Sequence, residues 1–346
     1  MASTFEPRTV VSGGDPFGTH RGLHPRGGLP QPAERVDNDF SRLFEGEMLL
    51  AVETLNVDAA SFVQMEKAGD VERLVMETVA ARGKQHNPVT GSGGMLLGRV
   101  LQLAPGRPRE EVAPGDRVAT LVSLSLTPLR IDRIKAVRPA SAQLDVDGEA
   151  VLFASGAYAR LPEDMPERLA LAVLDVAGAA PQVARLVRKG ASVVVLGAGG
   201  KSGILCCAEA KRSGASRVVG VESFPRAADE LRALGVCDHV VAADARDPVA
   251  VRSAVLAAGG EADVTFSCVN VPDAEMGAIL ATRDRGTVYF FAMSTSFTKA
   301  ALGAEGVGKD VDLFIGNGYA HGHAEHSLAM MRTMPKVRAL FEKRYG

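Results

Sequence analysis

A β-branched run, Ser192-Val193-Val194-Val195-Leu196, enters a glycine-rich turn, Gly197-Ala198-Gly199-Gly200-Lys201-Ser202-Gly203. A helix-compatible segment from Ile204 to Arg212 leaves it. This order of strand, turn and helix constrains the fold more than any other stretch. Glycines let the turn close and the backbone approach a pyrophosphate, and free N–H groups at the helix start face the anion. The third glycine falls one place later than in the commonest fingerprint, giving G-x-G-x-x-x-G. Gly200-Lys201-Ser202 looks like the end of a P-loop, but that motif needs glycine where Val195 stands.

The pattern predicts an acidic residue at the end of the next strand. Glu222 ends the run Arg217-Val218-Val219-Gly220-Val221, 19 residues after Gly203. A carboxylate there accepts hydrogen bonds from the adenosine ribose and repels a 2′-phosphate, which favours NAD over NADP. Arg226 lies close enough to leave NADP open. The expected cofactor contacts are Gly197, Gly199, Gly200, Lys201, Ser202, Gly203, Glu222, Ser223 and Arg226, with Asn270 after the fourth strand.

With 346 residues the chain has room for two domains. Its 39 basic and 41 acidic residues nearly cancel, and it has no Trp, so neither a polyanion nor a base-stacking platform is indicated. No apolar run reaches membrane-spanning length. Cys206, Cys207, Cys237 and Cys268 lack C-x-x-C spacing and read as core thiols of a reduced, cytoplasmic protein. The first 35 residues, rich in Gly, Pro and Arg, read as an extended arm. Glu6 and Asp15 within them count against a transit peptide.

Three segments are expected: an N-terminal arm (1–45), a β-rich domain (46–165) and a dinucleotide-binding domain (166–346). In the second, strands are expected at 48–52, 96–101, 116–122, 135–138 and 149–153, with a helix over 70–82. In the third, helices at 167–187, 202–212, 226–234, 248–257, 272–282 and 323–344 alternate with strands at 192–196, 217–221, 239–243, 263–269, 286–292 and 312–315. That alternation is an α/β fold, a Rossmann doubly wound parallel sheet of six strands.

This order resembles the medium-chain dehydrogenase/reductase superfamily. Pro114-Gly115-Asp116-Arg117-Val118 is similar to its G-D-R-V turn, and 231–240 to its helix-to-third-strand segment. The resemblance implies that the β-rich half is GroES-like. Three segments narrow it: Arg26-Gly27-Gly28-Leu29-Pro30-Gln31-Pro32-Ala33, Glu53-Thr54-Leu55-Asn56-Val57-Asp58-Ala59-Ala60-Ser61-Phe62, and Gly83-Lys84-Gln85-His86-Asn87-Pro88-Val89-Thr90-Gly91-Ser92-Gly93-Gly94-Met95-Leu96. Together they resemble the L-erythro-3,5-diaminohexanoate dehydrogenases of lysine fermentation. That likeness implies NAD(P)-dependent oxidative deamination to 5-amino-3-oxohexanoate and ammonia, and, at the superfamily level, a homodimer. Zinc-dependent superfamily members carry Gly-His-Glu where this chain has Gly91-Ser92-Gly93, and its β-rich half has no cysteine, so a zinc of that type lacks its ligands. The usual return of the chain into the first domain is short or missing.

Such a reaction needs a base near the amine, because hydride leaves an amine-bearing carbon only when the nitrogen can donate its lone pair. The expected pocket lies in the cleft between domains, opposite the carboxyl ends of the parallel strands. Its polar candidates are Asp58, Ser61, Lys84, His86, Asn87, Thr90 and Ser92, with Asn317 and Tyr319 after the sixth strand. Lys84 or His86 could serve as the base, and Asp58 could hold an ammonium group. His321, His323 and His326 invite a metal reading. A helix start with exposed histidines, where Glu325 suits the dipole, is the simpler one. The competing functions are an NADPH-dependent quinone or enoyl reductase and a non-catalytic dinucleotide-binding protein.

Overall fold

The computed structural model describes residues 5–57, 59–87, 93–107 and 112–345. The chain divides into two compact units, Met1–Glu163 and Asp164–Gly346. The first begins with four short strands, β1 (Thr9–Val11), β2 (Gly22–His24), β3 (Arg35–Val36) and β4 (Arg42–Phe44). After them come β5 (Met48–Asn56), the helices α1 (Ala59–Ala68) and α2 (Val71–Arg82), β6 (Met95–Leu103), β7 (Arg117–Thr120), β8 (Leu129–Arg138), β9 (Gln143–Leu152) and β10 (Tyr158–Arg160). Among the described residues β5–β10 form a six-stranded antiparallel sheet in the order β10-β7-β6-β5-β9-β8.

The central strand β5 begins with the unbroken apolar run Met48-Leu49-Leu50, because both of its faces are covered. Met48, Leu50 and Val52 point into a core shared with Val75, Val79 and Leu144. Leu49 points the other way, into a second core with Phe40, Leu43, Val151 and Phe153. Phe40 and Leu43 come from the segment expected to be an extended arm, and the structure corrects that reading. β1 pairs in parallel with β4, and β2 pairs with β3.

A buried ion pair locks this segment down. Arg21 is completely buried and donates from Nε and Nη2 to the Glu47 carboxylate at 2.6 and 2.8 Å. Its Nη1 reaches the Asp39 carbonyl at 2.9 Å, and His20 Nε2 bonds Glu47 at 2.9 Å. Burial pushes the Glu47 carboxyl up, but the bonds from Arg21 and His20 hold it below the usual range overall.

The second unit alternates throughout. It runs α3 (Glu167–Leu174), α4 (Ala179–Leu186), β11 (Ser192–Leu196), α5 (Lys201–Arg212), β12 (Arg217–Val221), α6 (Pro225–Leu234), β13 (His239–Val241) and α7 (Pro248–Ala257). It continues with β14 (Ala262–Ser267), α8 (Glu275–Ala281), β15 (Thr282–Phe290), α9 (Phe297–Gly306), β16 (Asp312–Ile315), α10 (His323–Thr333) and α11 (Pro335–Tyr345). The strands pair in parallel in the order β13-β12-β11-β14-β15-β16 among the described residues. The order reverses beside β11, so the turn after it lies at the switch point where such sheets bind ligands.

Two details differ from the sequence reading and one agrees with it. The helix expected over 167–187 is two helices bent by 48°. The one over 323–344 breaks at Met334, as expected of Pro335, because proline cannot donate into the preceding turn. Helix α9 was not anticipated; Ser296 caps it by accepting from Lys299 N–H, and Phe297 and Leu302 remain exposed on its surface. No single helix among the described residues is long and apolar enough to cross a membrane.

Candidate active site

The glycine turn of the second unit has the geometry a dinucleotide requires. Gly197 sits at φ +69°, in the left-handed region that lets the chain reverse after β11. A Cβ on Gly203 would lie 2.1 Å from the Gly197 carbonyl oxygen, so only glycine lets α5 pack this close to the strand. A Cβ on Gly200, by contrast, would meet only the Gly197 oxygen, at an ordinary 3.5 Å. Open space at Gly200 is what an approaching phosphate needs. Helix α5 starts at the next residue with no side chain capping it, which leaves its first N–H groups free for an anion.

Glu222 is buried against this turn. Its Oε2 accepts from Gly199 N–H at 2.9 Å and its Oε1 from Phe224 N–H at 3.0 Å. Both oxygens keep a lone pair for ribose hydroxyls. Ser223 is exposed beside it, and Arg226 projects outward, 86% exposed, with Nε 3.8 Å from Glu230. Lys201 pairs with Asp175, Ser202 is half-buried, and Asn270 is exposed in the loop after β14. The preceding residues, Cys268 and Val269, touch the position of a Gly197 Cβ, so that loop runs beside the turn. The cofactor-contact candidates thus gather around the β11, β12 and β14 ends of one sheet.

The first unit gathers a second group of polar residues. Helix α2 ends at Gly83, at φ +71°, packed so tightly on Val36 that a Cβ would lie 2.2 Å from its carbonyl oxygen. Lys84 follows and is completely buried. Its Nζ donates to the Pro30 carbonyl at 2.6 Å and the Gln31 carbonyl at 2.9 Å. Burial, and secondarily the charge of Arg82, push the amine from its ordinary 10.5 down to about 8. Two residues on, half-buried His86 is held below its usual value by burial and by the charges of Lys84 and Arg82. Among the described residues, His86 Nδ1 and Gln85 Oε1 are buried without a hydrogen-bond partner. Asn87 Nδ2 donates to Ser61 Oγ at 2.7 Å and to Gln64 Oε1 at 3.0 Å, which ties the segment to α1. An unmet buried polar atom costs about 1–3 kcal/mol, which makes these two consecutive residues candidates for contact with a bound molecule.

Ser61, Lys84, His86 and Asn87 therefore share one unit, whereas Asp58, Thr90 and Ser92 lie outside the described residues. Tyr319 lies in the second unit, where its hydroxyl is 3.3 Å from His321 Nδ1 and its carbonyl accepts from Gln182 Nε2. The three histidines have different surroundings. His323 is buried at the start of α10, against the expectation of exposure, and His326 Nε2 bonds Glu209 at 3.1 Å. Among the described residues no three His, Cys, Asp or Glu side chains come together as metal ligands. The Pro30 and Gln31 carbonyls and Gln85 had not been anticipated. Only their place in the family-like segments marks them in the sequence.

Known proteins similar to this chain complete the picture. L-erythro-3,5-diaminohexanoate dehydrogenase of Acetoanaerobium sticklandii is 51% identical over 339 residues, covering 95% of this chain and 98% of that protein. The chain belongs to the L-erythro-3,5-diaminohexanoate dehydrogenase family. The Fusobacterium nucleatum member is 49% identical over the same length. The model for the family's N-terminal domain matches residues 20–162, and one described as zinc-binding dehydrogenase matches 202–305. Among solved structures, an alcohol dehydrogenase from Thermotoga maritima shares the fold at TM-score 0.55 and 15% identity, covering 85% of this chain and 84% of that one. A mycobacterial protein solved with NADPH does so at TM-score 0.55 and 16% identity, over 85% and 86%. The diaminohexanoate dehydrogenase family thus has the medium-chain dehydrogenase/reductase fold, and its chemistry implies a nicotinamide cofactor.

Proposed function

We propose that this chain oxidatively deaminates L-erythro-3,5-diaminohexanoate at C3, with water and NAD as co-substrates, to 5-amino-3-oxohexanoate, ammonia and NADH. The family supports the substrate, and one observation supports the chemistry. Lys84 is a buried amine with both of its bonds made to backbone carbonyls, beside an imidazole whose Nδ1 has no partner among the described residues. A neutral amine has two N–H groups and one lone pair, so Pro30 and Gln31 satisfy its donors and leave the lone pair for a proton. We assign Lys84 as the base. A value near 8 suits removal of a proton from an ammonium better than His86, which is held below the usual histidine range. The amine has no exposed surface, so the substrate has to displace its cover to reach it. Ser61, Asn87 and His86 would bind the remaining polar groups, with Asp58, Thr90 and Tyr319 as further candidates.

The glycine turn, the start of α5 and Glu222 would hold the cofactor, which when bound accepts the hydride. Gly200 would admit the pyrophosphate and Glu222 the ribose hydroxyls. The braced carboxylate favours NAD, because a 2′-phosphate would meet its charge. The reading is zinc-independent, since all four cysteines belong to the dinucleotide unit. A homodimer is supported by β16, one of the two edges of the sheet among the described residues, which exposes Phe314 and Ile315. A monomeric mass by light scattering would remove that part.

The test is direct. Purified protein is given NAD and a panel of diamino acids, with reduced nicotinamide followed by absorbance and ammonia measured in parallel. Equal amounts of both from 3,5-diaminohexanoate are expected. Turnover of quinones or enoyl thioesters with NADPH, and no ammonia, would instead favour a reductase.

A further inference from the structure

We propose that Arg344, in the last turn of α11, is a positioning residue of the dinucleotide site that sets cofactor affinity by bracing the glycine turn from outside. The proposal rests on the reading that this turn holds the dinucleotide. Arg344 Nη1 donates to the Gly199 carbonyl at 2.6 Å, across 145 residues of sequence. The N–H of the same glycine donates to Glu222 at 2.9 Å. One residue of the turn is therefore gripped from both sides, by the ribose-binding carboxylate and by the end of the chain.

Arg344 is itself anchored. Its Nε donates to Glu230 Oε2 at 2.9 Å, and Lys343 Nζ reaches Glu230 Oε1 at the same distance. Glu230 lies on α6, which begins three residues after Glu222. Both Arg344 and Glu230 side chains are 16% exposed, so the fork is largely shielded from solvent. Bonds from Lys343 and Arg344 bring the Glu230 carboxyl down to about 2, so it stays charged across the working range. Lys343, Arg344 and Arg226 face the Glu230 carboxylate, so cations outnumber carboxylates around it even with Glu222 counted on the same glycine, beside a turn that would bind a diphosphate.

The next residue of α11 acts on the other side of the same gap. The Tyr345 ring lies 5.7 Å from the Lys201 ammonium, which also pairs with Asp175. Residues 344 and 345 thus fasten the two neighbours of Gly200, the position with room for a phosphate. Preorganising those neighbours removes an ordering cost that binding would otherwise carry. Nothing here touches the reacting carbon, so the effect belongs in affinity and not in turnover.

The experiment compares R344A and R344K with the wild type by fluorescence titration of NADH and by steady-state kinetics. In R344A the NADH dissociation constant and the KM for NAD should rise about tenfold. The kcat at saturating NAD should stay within about twofold, and melting should shift by only a few degrees. R344K, which can reach Gly199 or Glu230 but lacks the fork, should recover part of the loss. An unchanged dissociation constant in folded R344A overturns the proposal. So does a fall in kcat with affinity intact, or a loss confined to NADPH, which would make Arg344 a phosphate contact. If R344A does not fold, R344K and E230Q take its place, and wild-type affinity in both is the refuting result. G200V separates the underlying reading, because it should abolish NADH binding without unfolding. Wild-type binding by G200V would sink the glycine-turn assignment whatever Arg344 does.

Discussion

Replacing Lys84 by methionine tests both its chemistry and its buried state. The gap between the ordinary 10.5 and about 8 corresponds to roughly 3 kcal/mol. Because the folded value is the lower one, the unfolded chain binds more protons between about pH 8 and 10.5. Stability is then greatest above the unfolded value and is lost as pH falls through the folded one. Wild-type stability should therefore gain roughly 2 kcal/mol between about pH 7 and pH 9.5 relative to K84M, read from urea midpoints at each pH. The kinetic arm follows from the same amine. In the wild type, kcat/KM should rise with pH to a bend near 8, set by the free enzyme. K84M should lose that bend, keep the higher limb of the substrate's own amines, and fall roughly 10²–10⁴-fold. If both proteins share one pH dependence of stability, the lysine is not depressed and the argument for its role fails. A bend below 6.5 that survives in K84M would give the role to His86.

Three further outcomes are expected. Glu222→Ala removes the proposed ribose acceptor and the bond to Gly199, so KM for NAD should rise by about tenfold or more while NADP loses less; an unchanged NAD/NADP ratio would show that the carboxylate does not read the ribose. Gly200→Val should lose dinucleotide binding at nearly wild-type melting temperature, whereas Gly203→Val, with its Cβ 2.1 Å from a backbone oxygen, should lose the fold, as circular dichroism would report. Arg21→Ala leaves the buried Glu47 carboxylate only its bonds from His20 and Phe44 N–H and should cost roughly 3–5 kcal/mol in urea denaturation; a loss under about 1 kcal/mol would mean that Arg21 does not hold the N-terminal segment in place.

The parallel sheet was legible because its signals are local. Strands such as 192–196 and 217–221 are short apolar runs, and several helices carry a glycine or a capping residue at one end, as Gly200 before α5, Gly235 after α6 and Asp247 before α7 do. The N-terminal segment was not legible for the opposite reason. Its strands are two or three residues long, and its stability comes from partners far along the chain: Phe40 against Val151 and Arg21 against Glu47. A Gly-, Pro- and Arg-rich composition looks the same whether the chain is extended or tied down by such contacts. Even so, β5 held a clue. An unbroken Met48-Leu49-Leu50 on an antiparallel strand means that both faces are covered, and something had to cover the second one.

The two halves of the candidate site differ in the same way. Gly197, Gly203 and Glu222 follow from spacing, since strand, turn and helix fix where each must stand to meet a dinucleotide. Lys84 has no such spacing. Its amine is depressed by burial and by the charge of Arg82, and the carbonyls it donates to lie more than fifty residues upstream, beside a helix end that packs on Val36. A lysine in a sequence carries no mark of its burial, and the resemblance pointed to the segment without saying which atom would act. Arg344 is hidden more deeply still, because its partner on the turn is a backbone carbonyl, and a carbonyl has no residue type to recognise. Groups that bind cofactor through a repeated local geometry can be read from the chain. Those that act through a neighbour's environment become visible only when the fold brings the neighbours together.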